Sequence, residues 1–286
     1  ILHVIPRSFT VDDQTEIKDP IGMTGVRLEV EAQIIEGLST QIKNLTKCVF
    51  RTGLDIDDLV FSILANAEAV AGKRQKELGV AVVNLGGNTT SLAVFEEGDI
   101  LLSKVLPVGS SYITNDIAIG LRISVDLAEK IKLLYGSALP KEISKKEEID
   151  LAELDENEKE LVSKKEVAEI IEARVEEIFK IIDRELQEIK RSGKLPAGVI
   201  LTGGGAKLNG IVEVAKKEFR LPVSIGYSQE VVTVIDKIID PGFTAAVGLV
   251  KWGSQMQEGR GCLLSRFSSM TAMADKIKNW FKSLIP

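Results

Sequence analysis

Gly79-Val80-Ala81-Val82-Val83-Asn84-Leu85-Gly86-Gly87-Asn88-Thr89, running into Thr90-Ser91-Leu92-Ala93-Val94-Phe95, decides the fold. An apolar run, a glycine turn and a second apolar run predict two strands, Gly79 to Val83 and Thr90 to Phe95, joined by a short loop. A second glycine loop, Thr202-Gly203-Gly204-Gly205-Ala206-Lys207, follows a predicted strand over Gly198 to Leu201 and precedes a helix. Glycine lets the backbone approach an anion closely and turn its N–H groups inward. Two such loops, far apart in one chain, therefore predict two walls of a phosphate or nucleoside cleft. A strand-turn-strand differs from the strand-to-helix turn of a Rossmann site, and neither loop ends in the Lys-Ser/Thr of a P-loop. Either loop alone also fits plain hairpin geometry.

Working outward, residues 1 to 54 read as a small α/β unit. It has a strand over Ile1 to Pro6, turn signals at Asp19-Pro20-Ile21-Gly22, a strand over Val26 to Ile35, and a helix from Ser39 to Thr52 capped by Ser39 and closed by Gly53. A short strand and a helix are expected over Asp55 to Ala71. The polar Gly72-Lys73-Arg74-Gln75-Lys76-Glu77 reads as a boundary. The glycine-turned hairpin continues into Ile100 to Leu106, which makes an antiparallel meander. Helices are expected over Ser111 to Gly120 and over Val125 to Tyr135, with Ser124 as cap. The densely charged Lys141 to Glu166 reads as a solvated loop or exposed short helices. Lys164 to Arg191 carries Val167, Ile170, Ile171, Val175, Ile178, Ile182, Leu186 and Ile189 at helical spacing, and Gly193 and Pro196 end it. A helix over Asn209 to Phe219, a strand over Val223 to Ile225 and a helix over Phe243 to Trp252 complete the globular part.

At 286 residues and 44% hydrophobic content the chain can build an ample core. A net charge of -6 argues against a general nucleic-acid binder, which needs a basic surface. Cys48 and Cys262 are the only cysteines, in no paired or CxxC spacing, which argues against a disulfide scaffold or a thiolate zinc site and fits a reducing cytoplasm. With His3 the sole histidine there is no histidine triad or multi-histidine metal site, and His3 is expected to be structural. No residues are proposed as catalytic or as metal ligands. No apolar run is long enough to span a bilayer, and the start lacks a signal-peptide pattern. The chain begins at Ile1 directly in strand-like sequence, which reads as the remainder of a longer protein.

The last segment, Met270 to Pro286, follows Gly/Ser/Gln-rich sequence from Gly253 to Ser269 that reads as a flexible linker. At about 100° per residue, Met273, Ile277, Trp280, Phe281 and Leu284 share one face. Lys276 and Lys278 flank that face and Lys282 lies opposite. Lysines beside an apolar stripe snorkel into headgroups while Trp280 sits at the interface, as in a helix lying on a membrane surface. The competing reading is a helix docked on the parent domain or on a partner. Burial of the stripe, less the cost of ordering, predicts a reversible anchor of a few kcal/mol, which many copies on a polymer would strengthen.

These pieces in this order resemble the FtsA family of bacterial cell-division proteins, within the actin/Hsp70/hexokinase superfamily. The resemblance runs from Ile1 to Pro286. It is carried most specifically by Ile1-Leu2-His3-Val4-Ile5-Pro6, Asp19-Pro20-Ile21-Gly22-Met23-Thr24-Gly25-Val26-Arg27-Leu28, Leu201-Thr202-Gly203-Gly204-Gly205-Ala206 and Thr244-Ala245-Ala246-Val247-Gly248-Leu249. It implies an α/β, actin-like (ribonuclease H-like) ATPase fold with a small α/β subdomain at the start and an amphipathic helix on a linker at the end. The implied division is 1–54 as subdomain 1C, 55–77 as a remnant of 1A, 78–110 and 195–252 as 2A, 111–194 as 2B, 253–269 as linker and 270–286 as membrane-targeting helix. Most of 1A, with its phosphate-1 loop, is missing from the front.

The resemblance also implies the site. Gly86, Gly87, Asn88 and Thr89 would form the phosphate-2 loop. Glu129 and Lys132, spaced ExxK, would reach ribose and adenine, and Gly203, Gly204 and Gly205 would make the adenosine turn. The implied cofactors are ATP and Mg²⁺. Family members usually carry aspartate at Asn84 and glycine at Asn88; an amide at 84 loses the carboxylate that helps hold hydrated Mg²⁺, which weakens the case for hydrolysis more than for binding. Without the resemblance, an i,i+3 pair such as Glu129 and Lys132 is commonly a surface ion pair. The implied partners are the C-terminal tail of the tubulin-like FtsZ, bound near Arg174 on the long helix, the chain itself as a polymer, and the cytoplasmic face of the inner membrane at the division site. Arg174 equally fits a solvated helix arginine. The alternatives are a pilus-assembly actin-like protein that recruits a partner peptide, which would not be expected to end in such a tail, and a sugar phosphotransferase, which Asn84 and the tail argue against.

Overall fold

A computed structural model describes residues 1–156, 158–228 and 236–254. Its centre is a five-stranded sheet built from β4 (Val80–Leu85), β5 (Thr90–Glu96), β6 (Asp99–Leu106), β9 (Val199–Thr202) and β10 (Val223–Ile225), in the order β10-β9-β4-β5-β6. The β4-β5-β6 part is the expected antiparallel meander, whereas β9 runs parallel to both β4 and β10. β4 is apolar without alternation because the sheet is covered on both sides. Ala81, Val83 and Leu85 enter the larger core, shared with α4 (Ser110–Leu121), α5 (Val125–Tyr135), α6 (Lys164–Glu188) and α7 (Ile211–Phe219). Val80 and Val82 enter a smaller core on the other face, with Ile63, Ala67 and Val70 of α2 (Ser62–Val70) and with Val247 of α8, a helix over 244–254.

α6 forms as its periodicity predicts. Val167, Ile171, Val175, Ile178, Ile182 and Leu186 are buried, while Ile170 and Ile189 are half-buried against the same core. Ser163 caps it by accepting from the Glu166 N–H, and Ser124 caps α5 by accepting from Leu127. The helix stops at Glu188, short of Arg191, whose guanidinium turns to Glu96 of β5.

In front of this body stands a second, three-stranded antiparallel sheet. It contains β1 (His3–Val11), β2 (Gln14–Ile17) and β3 (Leu28–Ile35), in the order β2-β1-β3, followed by α1 (Ser39–Phe50). Gln33 Nε2 donates to Ser103 Oγ of β6 at 2.8 Å, and Lys18 Nζ donates to the Glu97 carbonyl at 2.6 Å, tying the two sheets together. His3 is structural, as expected: its Nε2 accepts the Phe61 N–H at 3.0 Å and its ring lies edge-on to Trp252.

Several sequence expectations are corrected here. The polar stretch at 72–77, read as a boundary, has structure of its own: Lys73–Leu78 forms a helical turn, α3, in which Gln75 Oε1 accepts the Gly72 N–H and Lys76 pairs with Glu68. Ser39 does not cap α1, because the cap position is Leu38 and Ser39 is already helical. No strand forms between Asp55 and Phe61. The charged stretch before α6 is not wholly solvated. It folds into a hairpin of β7 (Glu148–Asp150) and β8 (Leu161–Ser163) that sends Ile149 and Leu151 into the main core. α8 extends to residue 254, past the point where a linker was expected to begin.

Candidate functional site

Both glycine loops leave the same edge of the central sheet, because β4 and β9 are adjacent and parallel, with Asn84 in register with Thr202. The first loop is closed by the Gly86 N–H donating to the Thr89 carbonyl at 3.0 Å. It is then clamped onto the start of α4. The Gly86 carbonyl accepts from Ser110 N at 2.9 Å and from Ser110 Oγ at 3.0 Å, and the Gly87 carbonyl accepts from Ser111 N at 2.8 Å. Gly109 must be glycine for this, since a Cβ there would overlap both carbonyls. With its carbonyls tied back to the helix, the loop leaves Gly87, Asn88 and Thr89 exposed.

The second loop packs behind the first. Gly203 has φ +86, and a Cβ on it would overlap Asn84 Oδ1 and the Leu85 carbonyl. A Cβ on Gly205 would meet the Leu85 side chain at 2.6 Å, whereas one on Gly204 would point into open space. The Gly203 N–H donates to the Pro241 carbonyl at 2.9 Å, and Lys207 Nζ lies 2.7 Å from Asp240 Oδ2. The hydrogen bond from Lys207, with the Gly242 N–H behind it, holds the Asp240 carboxyl below the usual carboxylate range. The Thr202 hydroxyl faces Asn84 Oδ1 at 3.4 Å, so the Asn84 amide is seated between the two strands.

Glu129 and Lys132 stand one turn apart on α5, with Lys132 Nζ 2.7 Å from Glu129 Oε2. They are more than a surface ion pair. Thr114 of α4, itself buried, donates its hydroxyl to Glu129 and accepts from Lys132 at 2.8 Å. Burial opposes the Glu129 charge, but the hydrogen bonds from Lys132 and Thr114 and the adjacent ammonium outweigh it and hold the carboxyl below 4.5.

Between these elements opens a cleft of about 900 Å³. Of the residues singled out in the sequence, Gly87, Glu129, Lys132, Gly204 and Gly205 line it together. Asn84, Gly86 and Gly203 lie behind the walls as packing, and the exposed Asn88 and Thr89 do not line it. Ser110, Ser137, Lys207 and Asn209 line it as well and were not singled out. Lys207 directly follows the glycine triplet and could have been suspected; Ser110 and Thr114 gain their roles only through contacts distant in sequence. Among the described residues no group of three His, Cys, Asp or Glu side chains converges as a metal site would.

Arg174 lies elsewhere, on α6. It is not a freely solvated arginine: its guanidinium forks onto Asp116, reaches Glu177, and lies over the Tyr112 ring. The hydrogen bond with Asp116 raises its pKa above the usual arginine value. Met273, Lys276, Ile277, Lys278, Trp280, Phe281, Lys282 and Leu284 all lie outside the described residues. Among those that are described, no helix is long and apolar enough to cross a membrane.

Comparison with known proteins bears on both the fold and the family. The solved structure of MreB5 of Spiroplasma citri bound to AMPPNP superposes with a TM-score of 0.62 at 19% identity, covering 79% of this chain and 67% of that one. The PilM-PilN type IV pilus biogenesis complex gives 0.64 at 16% identity, covering 88% and 66%. These likenesses establish an actin-like fold. The family model described as cell division protein FtsA matches residues 81–248, and that described as the SHS2 domain inserted in FTSA matches residues 1–36. The cell division protein FtsA of Pseudomonas aeruginosa is 34% identical over 98% of this chain, which spans 69% of that relative's length. With two family models falling in order along the sequence and a relative alignable over nearly all of it, the chain belongs to the FtsA family of cell division proteins.

Proposed function

We propose that this protein acts in cell division as a nucleotide-dependent adaptor: it binds ATP in the cleft, self-associates, and links filaments of FtsZ to the membrane through residues 270–286. The single observation that carries the nucleotide reading is the convergence of Gly87, Gly204 and Gly205 with the Glu129–Lys132 pair on one cleft. The residues suit the group. The first loop's carbonyls are tied back to α4, which frees its backbone for phosphate oxygens. Glu129, held ionised, can accept from ribose hydroxyls, and Lys132, held by Thr114, can donate to the sugar or base.

Bound ATP would supply phosphates for the glycine loops and a nucleoside for the Glu129–Lys132 pair, and its presence would bear on the state of the polymer. The protein's own residues bind and orient. Asn84 keeps its amide oxygen behind the wall, facing the Thr202 hydroxyl, and offers no carboxylate for hydrated Mg²⁺, so the site is better equipped for binding than for hydrolysis. In this reading 1–54 serves polymer contacts, 111–194 carries the FtsZ-binding face around Arg174, and 270–286 lies on the lipid.

Titration with a fluorescent ATP analogue tests the cleft. Gly204→Val places bulk in open space, without backbone strain, and should weaken binding at least tenfold. Affinity unchanged in that variant and in Lys132→Ala would remove nucleotide from the cleft. Co-sedimentation with anionic liposomes and an FtsZ tail peptide tests the adaptor: deletion of 270–286 should abolish sedimentation, and full sedimentation of the shortened protein would end the membrane assignment.

A further inference from the structure

The N-terminus of α4 is capped by no side chain. Carbonyls of the first glycine loop take that place, Gly86 accepting from Ser110 and Gly87 from Ser111. Loop and helix are thereby held as one piece, and where α4 goes the loop follows. At about 100° per residue, Ser110 and Thr114 share one face of α4, and Tyr112 and Asp116 share the opposite one. The first face meets the cleft. Thr114 bridges Glu129 and Lys132, and Lys132 Nζ also donates to the Ser110 carbonyl at 3.4 Å. The second face meets α6. Arg174 Nη2 donates to Asp116 Oδ1 at 2.9 Å, its Nε donates to Oδ2, and the guanidinium lies 5.8 Å from the centre of the Tyr112 ring. One turn beyond, a Cβ on Gly120 would meet Ile170 Cδ1 at 2.6 Å, so the two helices approach closely there. The fork is largely shielded, with the Arg174 side chain 22% exposed and that of Asp116 26%. A bidentate, partly desolvated pair of this kind fixes geometry as well as charge.

We infer that Asp116 and Arg174 are positioning residues for the cleft: their fork fixes α4 on α6, and α4 sets the glycine loop and the Glu129–Lys132 pair in place. α6 is a firm base for this, anchored in the main core by Val167, Ile171, Val175 and Ile178. Neither Asp116 nor Arg174 lines the cleft, so any effect they have on a ligand there passes through α4. The inference rests on the reading of the cleft as a nucleotide site and adds a control to it. Coupling of this kind runs both ways. An acidic peptide that draws Arg174 off Asp116 would release α4 and weaken nucleotide binding. Bound nucleotide would oppose that peptide by the same factor.

Titration of the purified protein with a fluorescent ATP analogue provides the test. Asp116→Asn and Arg174→Gln should each weaken binding about fivefold to tenfold. The double variant should bind no more weakly than either single one, because both changes remove the same fork. Glu177→Gln takes away only the Arg174 partner on α6 itself and should leave affinity within about twofold. A second readout needs no variant: phenylglyoxal, which modifies arginine, should react with Arg174 about threefold more slowly once the analogue saturates the cleft, followed by mass spectrometry. Unchanged affinity in both single variants, additive losses in the double variant, or an Arg174 reactivity indifferent to the analogue would each overturn the inference. An analogue that fails to bind even the wild type removes the nucleotide reading and this inference with it. One that binds wild type and variants equally removes the inference alone.

Discussion

The central sheet is built around the apolar β4, β5 and β9, whereas the strands of the sheet in front of it mix apolar with polar and charged residues, and the two sheets differ in what covers them. β4 is buried along nearly its whole length, with α2 and α8 on one face and α4 to α7 on the other. β1 and β3 are mostly exposed or half-buried, and α1 buries nothing. The first body can hold its shape by its own packing, as a ligand cleft requires. The second is mostly surface, stabilised by its ladder hydrogen bonds and a few ties to β6, and it is suited to meeting other molecules.

The strongest way to break this contrast is to empty the main core. Phe219, fully buried and packed on Phe179 at 5.1 Å between ring centroids, should cost about 3–5 kcal/mol when changed to Ala, read by chemical denaturation. A cost below about 1 kcal/mol would mean the body is less consolidated than its packing implies. Next in size is Gly203→Ala. Its positive φ and the overlap with Asn84 and Leu85 should destabilise by about 1–3 kcal/mol, while Gly204→Ala, in open space, should be close to neutral.

A smaller effect should appear in acid. The folded pKa of Glu129 is depressed, so the stability it contributes is complete above 4.5 and is lost as pH falls through the folded value. Urea midpoints measured between about pH 5 and about pH 3 should therefore fall more steeply for the wild type than for Glu129→Gln; parallel slopes would show that the Thr114–Lys132 arrangement does not hold the carboxylate. The smallest effect belongs to the front unit. Phe50 of α1 is 55% exposed, and Phe50→Ala should change stability by no more than about 0.5 kcal/mol. A loss of 2 kcal/mol or more would erase the distinction between the two bodies.

What could be read from the sequence follows the same division. The meander, the long helix and the Ser124 cap were legible because each is specified by residues close together in the chain. α3 was hidden because Lys73–Leu78 is a single polar turn with no apolar periodicity, held by Gln75 and by the Lys76–Glu68 pair. The β7–β8 hairpin was hidden because Ile149 and Leu151 are two apolar residues among many charges, and their burial depends on α6 arriving beside them. In the site, the glycine loops carried their own signal, whereas the ExxK pair was singled out only through the family resemblance. Ser110 and Thr114 carried none, since a serine that clamps a loop and a threonine that bridges an ion pair look like any other polar residue on a helix. Gly109 became intelligible only when the carbonyls it makes room for were seen.

The parallel pairing of β4 with β9 bears on how the molecule is made. Asn84 and Thr202 touch at a sequence separation of 118, and that interval includes all of α4, α5 and α6. While the protein emerges from a ribosome, the first glycine loop is synthesised before β9 and must wait, lacking its opposite wall, until β9 has been translated and slotted in beside it. Such late, long-range closure is slow. If the cleft takes nucleotide as proposed, a nascent chain halted before β9 should be unable to retain it, and occupancy of the cleft would report that synthesis of this body is complete.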